Sequence, residues 1–202
     1  MFDEKRSTRR QALKTMAASG LGAALAGTIA PTAFAQGRTF KAGLPAFVSH
    51  RALENSIIVA GNVFSILADQ KSTGGMYTLI DAIVKQGREA PPHTHTREDE
   101  IFYILEGEVE FTSGGIVTLA KPGDQVFQPR GAQHWFKLLT PTARALVMFT
   151  PGGIEGLYRQ TSAPAKSLEL PEAGPPAPTP AQFEGLVKLA ASYGVTYALP
   201  KK

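Results

Sequence analysis

Between about Ile57 and Thr150, glycine, proline and aspartate cut the chain into short runs rich in β-branched and aromatic residues, with no helix-length periodic segment among them. The runs are Val63 to Ala68, Met76 to Val84, Ile101 to Leu105, Val109 to Thr112, Ile116 to Ala120, Gln125 to Gln128, Gln133 to Leu139 and Ala143 to Phe149. Short strands at even spacing, separated by turn signals, imply an all-β sandwich or barrel. Glu106-Gly107 and Ser113-Gly114-Gly115 suit tight turns, because glycine reaches positive φ at little steric cost. With 202 residues, 43% of them hydrophobic and 19% charged, the chain has room for one domain with a real core beside a processed segment.

The flanks have a different character. Thr8-Arg9-Arg10-Gln11-Ala12-Leu13-Lys14 is followed by an apolar run from Met16 to Ala30 and then by Ala33-Phe34-Ala35. A charged start, a run too short for a bilayer span and a small-x-small site form the anatomy of an export signal. Cleavage is expected after Ala35, with no stable membrane insertion afterwards. The adjacent arginines resemble a twin-arginine signal, with Ala12 where that signal usually prefers Phe. The resemblance implies a periplasmic or secreted protein exported already folded.

At the other end, Leu170 to Pro180 carries five prolines and reads as an extended linker. Thr179-Pro180-Ala181-Gln182 then offers an N-cap, a proline at the first helical position and a Gln at the third. Phe183, Leu186, Val187, Ala190 and Tyr193 recur at helical spacing before Gly194, a stripe expected to pack on the outside of the barrel. The expected organisation is a signal peptide at 1–35, an N-terminal extension at 36–56, a barrel at 57–160, a Pro-rich linker at 161–180, and a C-terminal helix and tail at 181–202.

Charge and cysteine content narrow the chemistry. Of the net charge of +4, Lys5, Arg6, Arg9, Arg10 and Lys14 set against Asp3 and Glu4 account for +3, and no Lys/Arg block follows residue 35. The footprint needed to hold nucleic acid is missing, and no nucleic-acid partner is expected. With no cysteine, any metal must be held by nitrogen and oxygen.

Two of the four histidines form His93-Thr94-His95. On an extended strand their side chains leave the same face and can meet one ion, and Pro91-Pro92 disfavours helix just before them. Glu100 comes five residues after His95. That odd offset suits the same face only if Thr96-Arg97-Glu98-Asp99 turns the chain. Glu98 and Asp99 compete for the same role, and solvated turn charges are the preferred reading for both. Glu100, Phe102 and Ile104 share one strand face, where a carboxylate among apolar groups is costly unless paired or metal-bound. His134 opens an aromatic strand after the turn signals Pro122-Gly123-Asp124 and Pro129-Arg130-Gly131. His50 reads as surface or structural. Tyr103, Trp135 and Phe136 read as barrel packing, with pocket lining the alternative for Phe102 and Phe136.

Gly87-x5-His93-x-His95-x4-Glu100-x6-Gly107 resembles the first motif of the cupin superfamily at every fixed position, and Gly123-x5-Pro129-x-Gly131-x2-His134 resembles the second. Leu138 departs from the second motif, where Asn is frequent. The resemblance implies a double-stranded β-helix (jelly-roll barrel) with a C-terminal helix, and one divalent metal ion held by His93, His95, Glu100 and His134. Fe, Mn, Ni, Co, Cu and Zn all suit such donors.

Ser72-Thr73-Gly74-Gly75-Met76-Tyr77 and Thr150-Pro151-Gly152-Gly153-Ile154-Glu155 extend the likeness to single-domain cupins of the quercetin 2,3-dioxygenase-like group. That likeness implies a small enol, phenol or flavonol-like substrate reacting with O2, with Glu100 as both ligand and general base. It also implies pairing as a homodimer through barrel edges. Because one fold hosts many activities, two readings stay open beside it: metal chemistry without O2 (decarboxylase, isomerase or hydrolase) and non-catalytic small-molecule binding.

Overall fold

The computed structural model describes residues 43–198. The expected signal segment at 1–35 and residues 199–202 lie outside them.

Twelve strands and two α-helices follow one another among the described residues. They are β1 (Ser56–Val59), β2 (Asn62–Ala68), β3 (Thr78–Lys85), β4 (His93–His95), β5 (Asp99–Glu106), β6 (Val109–Ser113), β7 (Ile116–Ala120), β8 (Gln125–Gln128), β9 (His134–Leu138), β10 (Thr142–Thr150), α1 (Glu155–Gln160), β11 (Ala163–Pro164), α2 (Pro180–Ser192) and β12 (Val195–Tyr197). The strands form a seven-stranded sheet in the order β11-β1-β2-β3-β10-β5-β8 and a five-stranded sheet in the order β12-β4-β9-β6-β7. Every pairing is antiparallel.

Period-2 alternation decides what faces inward. In β10, Ala143, Ala145, Val147 and Phe149 are buried while their neighbours are not, and in β5 the buried set is Glu100, Phe102 and Ile104. The apolar members of both sets meet Ile66, Ile80, Val109, Phe111 and Leu138 in one core. Phe102 and Phe111 lie 4.9 Å apart by ring centroid, and Phe136 stands 5.7 Å from each. Full burial of a side chain of this size contributes about 1.5–3 kcal/mol, so the packed end is a rigid floor. Gly107 makes the β5–β6 turn at φ +84, and a Cβ there would lie 2.5 Å from the Thr142 carbonyl oxygen. Conformation and space both require glycine.

The helix expected after the prolines forms as its capping residues dictate: Gln182 N–H donates to Thr179 Oγ1, Thr179 N–H donates to Gln182 Oε1, and Gly194 ends the turn at φ +85. Ala190 of the apolar stripe joins the core and Tyr193 packs against it, while Leu186 lines a cavity. The following residues form β12 on β4, which three residues of strand have too little pattern to announce.

The Pro-rich stretch is likewise fastened down. β11 pairs with β1, Arg51 Nη2 donates to Leu168 O at 2.7 Å, and Arg88 Nη1 donates to Pro175 O at 3.1 Å. Prolines carry no N–H, so such a segment can lie across an apolar opening with few donors left unsatisfied. Tyr103 also departs from expectation, being 44% exposed and not packed in the barrel, because it alternates outward from Phe102 and Ile104. Trp135 is half-buried. Among the described residues, no helix is long and apolar enough to cross a membrane.

Candidate metal centre and its cavity

Strand pairing brings four separate donors together. β4 runs antiparallel to β9 with His93 opposite His134, and β5 faces them from the other sheet with Glu100 on its inward side. The odd offset from His95 to Glu100 is absorbed between the two strands, where Thr96 N–H donates to the Gly194 carbonyl. His93, His95, Glu100 and His134 are all buried, and one donor atom from each lies within 4.8 Å of the others. His134 Nε2 is 3.0 Å from Glu100 Oε2, and His95 Nε2 is 3.8 Å from the same oxygen. His50 is exposed and outside the cluster.

Two imidazoles are aimed by their backs. His93 Nδ1 donates to Pro91 O at 2.9 Å and His134 Nδ1 donates to Ala132 O at 3.0 Å. With Nδ1 carrying the proton, Nε2 is the nitrogen turned towards the shared centre, as metal-binding imidazoles require.

His95 has a different support, which overturns one expectation. Glu98 is not a solvated turn charge: it is 5% exposed, and its Oε2 lies 3.5 Å from His95 Nδ1. The period-2 relation of Glu98 to Glu100 was the available signal. Asp99 is not simply solvated either, since it accepts from Arg130 Nε at 2.9 Å and from Nη2 at 2.7 Å.

The electrostatics suit a cation. Burial pushes the Glu100 carboxyl up, but the hydrogen bond from His134 and the charges of His95, His93 and His134 together hold it below its ordinary range. Burial pushes His93 down to about 4, against the attraction of Glu100, so it is neutral at ordinary pH. At His134 burial also acts downward, but the hydrogen bond and charge of Glu100 outweigh it and raise the pKa. Three imidazoles and one carboxylate could thus hold one ion. Bonds of about 2 Å place opposite donors roughly 4 Å apart, which needs only a small contraction from the spacing seen here.

The cluster opens onto a cavity of about 900 Å³. His93, His95 and Glu100 form part of its wall, and Phe64, Ile80, Phe102, Phe136, Val147 and Leu157 make it mainly apolar. Leu186, Tyr197 and the Pro-rich segment supply further wall.

Comparison with known proteins adds to this geometry. Residues 81–151 match the family described as Cupin domain. The match runs from within β3 to the end of β10 and contains all four donors. Two antiparallel sheets with a C-terminal helix are consistent with a cupin β-sandwich. The chain is 25% identical over 108 residues to quercetin 2,3-dioxygenase of Bacillus subtilis (strain 168), covering 54% of this chain and 32% of that protein. It therefore spans about a third of that relative's length. An uncharacterized protein of Streptomyces coelicolor is 29% identical over 91 residues, covering 45% of this chain and 81% of that one. Among solved structures, an RmlC-like cupin from Shewanella frigidimarina is 19% identical with a TM-score of 0.47, covering 56% of this chain and 99% of that chain.

Proposed function

We propose that this chain is an exported, metal-dependent cupin dioxygenase that uses O2 on a small enol, phenol or flavonol-like substrate. The observation carrying this reading is a three-histidine, one-glutamate cluster that reaches the wall of a largely apolar cavity of about 900 Å³ through His93, His95 and Glu100. That volume suits a ligand of two or three rings. Partial likeness to a quercetin 2,3-dioxygenase supports the substrate class, and the paired arginines with Ala33-Phe34-Ala35 support export to the periplasm or beyond.

A divalent ion held by His93, His95, Glu100 and His134 would supply Lewis acidity and access to O2. The chain's own residues do the rest. Glu100, ionised and facing the cavity, accepts the proton of the substrate's enol or phenol hydroxyl at a carboxylate oxygen. His93 and His134 hold their orientation through Pro91 and Ala132. Phe64, Phe102 and Phe136 exclude water from the reacting face. Both atoms of O2 enter the product, so no external reductant is consumed.

Oxygen uptake tests the reading. With flavonols or catechols as substrate, the exported protein should consume O2, and Glu100→Gln should abolish consumption. Turnover under argon would point to decarboxylation, isomerisation or hydrolysis, and ligand binding without product under either atmosphere would point to a binding protein.

Pairing as a homodimer is part of the same proposal. β7 is the free edge of the five-stranded sheet, with Ile116 73%, Val117 60% and Leu119 58% exposed. β8, the next strand in the chain, edges the other sheet and presents Phe127 at 54%. Apolar side chains along open strand edges are a liability that a second copy removes.

A further inference from the structure

We propose that Tyr158 and Tyr197 determine specificity in the cavity by donating hydrogen bonds to oxygen substituents of the bound molecule, selecting polyoxygenated aromatics over bare ring systems. This rests on the small-molecule reading above and names what the cavity selects.

Both tyrosines line the cavity. Tyr158 comes from α1, its ring edge-on to Phe64 at 5.3 Å and 6.1 Å from Phe149, which in turn lies 5.6 Å from His95. Tyr197 comes from β12, its ring 6.0 Å from His93 and 6.5 Å from Phe183. Aromatic contacts hold Tyr197 against His93 and Tyr158 against Phe149, the ring that in turn meets His95.

Their hydroxyls are unusual for groups so placed. Among the described residues neither phenol oxygen has a hydrogen-bond partner, whereas Asn62 in the same wall serves Arg88 O and Lys85 N–H, and Glu89 accepts from Leu138 N–H. Neither belongs to the sealed polar atoms without partners, which are Arg51 Nε, His95 Nδ1, Glu98 Oε2 and Gln128 Oε1. Each phenol oxygen therefore keeps open surface, and the space both residues border is the cavity.

A phenol hydroxyl held in apolar surroundings without a partner is costly, so the partner comes with the ligand, or is water in its absence. Burial raises the pKa of both phenols, and the charges of Glu100 and Glu98 raise Tyr158 further. Both stay protonated, hence donors, at ordinary pH. Oxygen atoms on the ligand answer them, and a hydrocarbon ring leaves them unpaired. A site built on such donors discriminates strongly against the analogue lacking the acceptor.

The two phenols also lie outside residues 81–151, which contain the four donors. The reacting centre is common cupin ground, and the selecting wall is added by α1 and β12.

The test compares quercetin with flavone, the same ring system without hydroxyls, binding to metal-loaded protein under argon, followed by fluorescence. Wild type should prefer quercetin. Tyr158→Phe and Tyr197→Phe should each reduce that preference roughly 3- to 10-fold, with flavone affinity unchanged or improved, metal content unchanged and KM for quercetin raised more than kcat falls. Phe variants that bind both ligands as wild type does would overturn this inference while leaving oxygen chemistry standing. Failure of wild type to bind either ligand would remove the functional reading and this inference with it.

Discussion

Glu98 Oε2 and His95 Nδ1 face each other at 3.5 Å, both buried and neither with a hydrogen-bond partner among the described residues. His93 and His134 have Nδ1 on backbone carbonyls, whereas Nδ1 of His95 faces a carboxylate. Glu98→Ala should weaken metal affinity by roughly 10- to 100-fold, as loss of such outer support typically does. Glu98→Gln, which keeps an acceptor, should lose less. Competition with a chelator measures both, and affinities equal to wild type would deny Glu98 this role.

Metal loading should release a proton. Without metal, His134 holds its proton to above the ordinary pKa of 6.5 because Glu100 Oε2 lies beside it, and an incoming ion must displace that proton. Affinity should therefore fall as pH drops from about 7 towards 5, by up to roughly tenfold per unit below the His134 pKa. His93, with a pKa of about 4, is already neutral throughout this window and adds nothing to the slope. Calorimetric titration in buffers of differing ionisation enthalpy counts the protons released.

Between β3 and β10, Asp81 is 4% exposed and accepts from Arg144 Nε at 2.9 Å and Nη2 at 2.7 Å. Arg144→Ala strands that carboxylate. The cost should be about 2–3 kcal/mol, below the 3–5 kcal/mol of a fully sealed pair because the guanidinium is partly exposed. Urea unfolding of the metal-free protein measures it. A change under 0.5 kcal/mol would show that water or Arg51, whose Nε is 3.9 Å from Asp81, serves as well.

The edge-strand proposal predicts that Val117→Lys with Leu119→Glu converts a dimer to a monomer in light scattering, with metal content unaffected. A wild-type protein that is monomeric at micromolar concentration would contradict it.

What the sequence disclosed follows from where each signal resides. Strand runs punctuated by glycine and proline were legible because turn chemistry is local, and the Thr179–Gln182 cap is local too. His93 and His95 follow from period 2 alone. Glu100 and His134 do not, since joining them needs a turn and the pairing of β4 with β9, and only the spacing of two motifs pointed there. β11 and β12 escaped notice because two or three residues carry no period, and their partners, β1 and β4, lie about a hundred residues away. For the same reason the Pro-rich stretch read as a linker, although its role as cavity wall depends on Arg51 and Arg88 catching its carbonyls. Glu98 reads as solvated because polarity in a turn ordinarily means solvent, whereas its burial is set by strands beyond it.

The most direct test is metal stoichiometry by elemental analysis of the purified protein, beside variants of the four donors. The account predicts one divalent ion per chain, lost in His93→Ala and His134→Ala while circular dichroism shows the strands intact. A wild-type chain that neither carries nor binds a divalent ion would contradict it.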